Sequence, residues 1–149
     1  MPAAPPDLLR AAGLRRTPAR VAVLGRIAAV GRPVSHAELQ SEPDLGALDT
    51  ITLYRTLTTL VEAGLVHRVH GIDGVWRYAR QPGEDGCPGN HPHFLCTACG
   101  GMSCLLGQRM PRVSVPAGAQ VSGRHFVAYG LCAACAASAA PPSAASEAG

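Results

Sequence analysis

Four of the six cysteines fall into two pairs whose spacing suits one metal ion, Cys96-Thr97-Ala98-Cys99 and Cys132-Ala133-Ala134-Cys135. Two residues between thiolates let both reach an ion while the backbone turns beneath it, and two such pairs complete a tetrahedral sulfur site. Structural zinc is the expected occupant, with a redox dithiol pair or iron as the alternatives. Four protein ligands leave no open position for a catalytic water. His91-Pro92-His93 ends three residues before Cys96 and sets two imidazoles on the same side of an extended segment. With Cys87 and Cys104 as spare thiols, the pair predicts a second metal site. His36 is expected to be an ordinary surface residue, and His125 to pack within a strand beside Phe126 and Tyr129.

These groups need a frame to hold them. Thr17 is an N-cap before Pro18, and Val21, Leu24, Ile27 and Ala28 share one face of a helix that Gly31 ends. Ser35-His36-Ala37-Glu38 is a capping box that starts a second helix, closed by Pro43. A third helix is expected over roughly Thr50 to Ala63, burying Leu53, Leu57, Leu60 and Val61. Its other face carries Thr52, Arg55, Thr56 and Thr59, with Tyr54 at the edge and no acid before Glu62. Hydroxyls and a guanidinium can bond phosphates and base edges, so this face suits a DNA groove; a solvated face is the plainer alternative. Residues 65–70 and 75–78 then alternate as two strands around Gly71-Ile72-Asp73-Gly74, a hairpin turn. Helix, helix, recognition-type helix and hairpin make a winged helix-turn-helix.

The domain reading follows. Residues 1–80 form the winged-helix unit, 81–90 a turn-rich hinge, 91–136 a metal-binding unit, and 137–149 an Ala/Ser/Pro-rich disordered tail. The fold class is α+β. With 149 residues, 47% hydrophobic and 15% charged, the chain can bury a core and is not disordered through its body. The net charge of +3 is unevenly spread: residues 10–32 hold six of the 13 arginines and no acid. Such a segment is the footprint of a polyanion binder. No apolar run approaches the roughly 20 residues that span a bilayer. Residues 1–7 lack the basic start and apolar stretch of a signal peptide, so a cytoplasmic chain without a membrane partner is expected. No nucleophile motif, Gly-rich phosphate loop or carboxylate paired with the histidines points to an enzyme or a small-molecule substrate.

Leu14-Arg15-Arg16-Thr17-Pro18-Ala19-Arg20, Thr52-Leu53-Tyr54-Arg55-Thr56-Leu57 and Glu62-Ala63-Gly64-Leu65-Val66 resemble the DNA-binding half of the ferric uptake regulator family. His91-x-His93-x-x-Cys96-x-x-Cys99-Gly100 and Gly130-Leu131-Cys132-x-x-Cys135 resemble its dimerisation half. The resemblance covers about residues 10–136 and implies a homodimeric, metal-responsive repressor of double-stranded DNA operators. It implies a winged-helix domain hinged to a small α/β dimerisation domain. By position, Tyr54 and Arg55 correspond to the DNA-approaching pair of the recognition helix, and Arg15 and Arg16 to N-terminal basic contacts. The zinc-sensing branch places a ligand three residues after the hinge glycine, here His67, and a cysteine in the sensor site. Cys87 fills that role slightly better than Cys104, which stands where some members carry a glutamate ligand. A regulatory site of His67, Cys87, His91 and His93 would favour zinc, beside structural zinc on Cys96, Cys99, Cys132 and Cys135. The iron branch's glutamate after the wing tyrosine is Ala79 here. A regulator of zinc uptake genes is therefore expected, with an iron, manganese or peroxide sensor, or a thiol redox switch, as alternatives.

Overall fold

The computed structural model describes residues 3–80, 91–122 and 124–139. The first unit opens with α1 (Pro5–Ala11), a helix that the sequence pattern does not announce; its Leu9 is fully buried. Then α2 (Pro18–Val30) starts where Thr17 Oγ1 accepts the Arg20 backbone N–H and stops at Gly31 in the left-handed region. The two-residue strand β1 (Val34–Ser35) is likewise absent from the sequence reading. Its Ser35 caps α3 (His36–Gln40), and the reciprocal bonds of the capping box with Glu38 are both present. This helix ends before Pro43, sooner than expected. His36 is half-buried, and its ring nitrogen lies 3.3 Å from the Thr50 carbonyl at the start of the next helix.

The recognition-type helix is α4 (Thr50–Glu62), with Asp49 as its N-cap. Leu53, Leu57 and Leu60 are fully buried in one core with residues of α2, Leu39 and Leu45. Thr56 is buried as well, so it leaves the polar face where the sequence pattern put it. Strands β2 (Val66–His70) and β3 (Trp76–Arg80) form the hairpin, and β1 pairs with the far edge of β3, giving the order β1-β3-β2.

The second unit is a sheet of order β5-β4-β6, built from β4 (His93–Cys96), β5 (Met102–Cys104) and β6 (Val127–Gly130). Strand β4 runs antiparallel to β5 and parallel to β6. Helix α5 (Ala133–Ser138) follows, reaching past residue 136, so the expected tail begins inside a helix. His125 lies before β6 and is exposed, which removes the packing role expected of it. The expected hinge, residues 81–90, lies outside the described residues.

The hairpin serves both units because strand residues alternate in direction. Val66 and Tyr78 face the helices and join their core. Val69, on the opposite face, forms a small second core with Leu95 and Met102, against which Val127 packs. Each of these buried aliphatic side chains contributes on the order of 1.5–3 kcal/mol. No helix among the described residues is long and apolar enough to cross a membrane.

Candidate metal centre

The two knuckles meet. The Sγ atoms of Cys96, Cys99, Cys132 and Cys135 lie within 4.8 Å of one another. Register brings them there: β4 ends on Cys96 opposite Gly130 of β6, and Cys132 caps α5. Each knuckle turns under its first sulfur. The Cys99 backbone N–H donates to Cys96 Sγ and that of Cys135 to Cys132 Sγ, both at 3.5 Å. Gly100 closes the first turn, its N–H donating to the Cys96 carbonyl at φ +74°, a conformation that favours glycine.

Four thiols this close cannot all ionise without a cation. The Cys99 backbone N–H draws the Cys96 thiol down to about 6, while the Cys132 side chain pushes Cys135 up to about 12. A divalent ion would resolve that conflict, and an all-sulfur tetrahedral donor set fits zinc.

The second cluster joins His91, His93 and Cys104, whose donor atoms also lie within 4.8 Å of one another. His93 stands directly opposite Cys104 across the β4–β5 pair, so strand register alone brings nitrogen and sulfur together. The His91 and His93 rings lie 4.6 Å apart, and both residues are buried. His67 approaches from the wing. Burial is the first cause that lowers its pKa to about 4, and the neighbouring His93 is the second. Burial therefore favours the neutral ring, the form that can donate a lone pair. Across the hairpin from His67 stands Ala79, a buried methyl. Cys87 lies outside the described residues.

One residue that the sequence reading passed over joins the two units. Arg77 of β3 is only 2% exposed. Its guanidinium grips both Asp73 carboxylate oxygens, at 3.1 and 2.8 Å, and donates twice to the Gly100 carbonyl, at 3.2 and 2.8 Å. That hydrogen bonding holds the Asp73 carboxyl below the usual carboxylate range. The cradle needs Gly71: a Cβ there would sit 2.5 Å from Asp73 Oδ1 and 2.6 Å from Arg77 Nη1. Strand parity was the available signal, since Arg77 pairs with Val69 and must share its inward face.

Arg15, Arg16, Tyr54 and Arg55 are all exposed. Thr52 is half-buried, and its hydroxyl donates to Asp49 Oδ2 at 2.7 Å, so it is partly engaged in capping α4.

Residues 11–106 match the family model described as the ferric uptake regulator family. Ferric uptake regulation protein 1 of Mycolicibacterium fortuitum is 32% identical over 108 residues, which cover 67% of this chain and 62% of that protein, less than two thirds of its length. The crystal structure of the Vibrio cholerae ferric uptake regulator is 23% identical and covers 85% of this chain and 98% of its own, with a TM-score of 0.62. That of holo XcZur is 27% identical, covering 84% and 89%, with a TM-score of 0.52.

Proposed function

The chain belongs to the ferric uptake regulator family, and on that premise we propose that it is a zinc-responsive repressor that binds double-stranded DNA as a homodimer. Zinc on Cys96, Cys99, Cys132 and Cys135 holds the second unit together. A second zinc, the one sensed, binds His67, His91, His93 and Cys104. The observation that carries this reading is that His67, on the wing, feels the charges of His93, Cys104 and His91, while those three cluster in the second unit, Cys104 on β5, His93 on β4 and His91 just before it. An ion shared between them would fix the angle of the winged helix.

Donor chemistry selects the metal. Imidazoles with one thiolate suit zinc, whereas harder ions want carboxylates and six ligands. The cluster among the described residues includes no carboxylate, and the wing offers Ala79 beside His67. Bound zinc supplies a fixed positive charge and a tetrahedral geometry. Arg55 and Tyr54 on α4 and Arg15 and Arg16 before α2 then meet the DNA. The iron-responsive alternative is favoured by the name of the M. fortuitum relative. Titrating the protein with zinc, iron(II) and manganese(II) under anaerobic conditions separates the two. Two zincs per subunit, the weaker lost in both His93→Ala and Cys104→Ser, is the expected result. Loss in Cys87→Ser instead would move the sulfur ligand to Cys87, and tighter binding of iron(II) would overturn the zinc assignment.

A further inference from the structure

We propose that Arg77 is a positioning residue that latches the wing onto the Cys96–Cys99 knuckle and so preforms the sensor site. The inference rests on the zinc-responsive reading above. A guanidinium at 2% exposure is costly to bury unless its donors are satisfied, and here they are satisfied partly within the wing and partly across the unit boundary. Asp73 from the wing turn neutralises its charge, and the Gly100 carbonyl of the knuckle takes two of its N–H groups. The Gly100 carbonyl faces Arg77 because the knuckle turn, closed by Gly100 N–H on the Cys96 carbonyl, holds it there. The turn's shape in turn depends on the thiolates that it carries.

Two consequences follow. First, His67 lies on the same hairpin face as Arg77, so the latch holds the wing's imidazole near His91 and His93 before any ion arrives. A preformed site binds more tightly in proportion to the fraction of molecules in the competent arrangement. Second, the structural metal gains a role beyond holding the second unit together. Loss of the metal from the knuckle thiolates would release Gly100, then Arg77, then the wing, even in a molecule whose sensor ligands are intact.

The test uses the full-length zinc-loaded dimer and measures affinity for the second zinc without DNA. Arg77→Met and Gly71→Ala should each remain dimeric, keep the zinc on the four knuckle cysteines, and lose ~10–100-fold in affinity for the second zinc, the range for removing groups that orient metal ligands. Arg77→Lys, which keeps the charge but cannot fork between Asp73 and Gly100, should fall between native and Arg77→Met. A purely structural arginine would lower the melting temperature and leave second-zinc affinity in the folded dimer unchanged. That outcome overturns the latch. If Arg77→Met does not fold, Asp73→Asn decides, with a smaller loss supporting the proposal and native affinity refuting it. If the native dimer takes up no second zinc, the zinc-responsive reading falls first and the latch with it.

Discussion

At the scale of single residues, the donors are held by charge balance. Cys96 at about 6 and Cys135 at about 12 are neighbours whose ionisation a cation must reconcile. Cys96→Ser should therefore cost the structural zinc and unfold the second unit, since apparent binding energies of ~10–16 kcal/mol accompany such sites. Zinc analysis with size-exclusion chromatography checks this; a dimeric variant with full zinc would contradict it. His67 makes a separate prediction. Its folded pKa of about 4 lies below the ordinary 6.5, so the unfolded chain takes the proton first as pH falls between those values. Acid should thus erode the stability of protein stripped of the second zinc across pH 6.5 to 4. That slope should be shallower in His67→Ala when both are compared by urea denaturation.

At the scale of elements, α4 offers the cleanest test, because its two faces do different work. Leu57→Ala removes a fully buried side chain and should destabilise the fold by ~2–5 kcal/mol in a denaturant titration. Arg55→Ala, on the exposed face, should leave stability unchanged and weaken DNA binding by ~1–3 kcal/mol. The caps at Thr17 and Ser35, the stripe on α4 and the hairpin were legible because each is a local pattern. Helix α1 was not, since its seven residues carry a short apolar signature that only contact with α2 makes decisive. Thr56 was misplaced for a related reason: a threonine methyl can sit in a core, and residue type alone cannot say that it does. Both cysteine pairs were readable from spacing. Cys104 opposite His93 was not, because register between β4 and β5 is a tertiary choice, and for Arg77 strand parity with Val69 gains meaning only once the hairpin has two buried faces.

At the scale of the whole molecule, one hairpin belongs to two cores. Val66 and Tyr78 fasten it to the helices, while Val69 and Arg77 fasten it to the second unit. A ligand can shift the angle between the units only through a difference in affinity for the two arrangements, and the proposed ion, if held by donors from both, would have that difference built in. The most direct measurement is fluorescence anisotropy of a labelled fragment from the promoter beside its own gene, titrated with buffered free zinc, for native protein and His93→Ala. Native protein should bind DNA in proportion to occupancy of the second zinc. His93→Ala should stay a folded dimer with zinc on its four knuckle cysteines and show no zinc stimulation. A His93→Ala protein that responds to zinc at the native concentration would contradict the sensor site, and so would native binding that iron(II) drives and zinc does not.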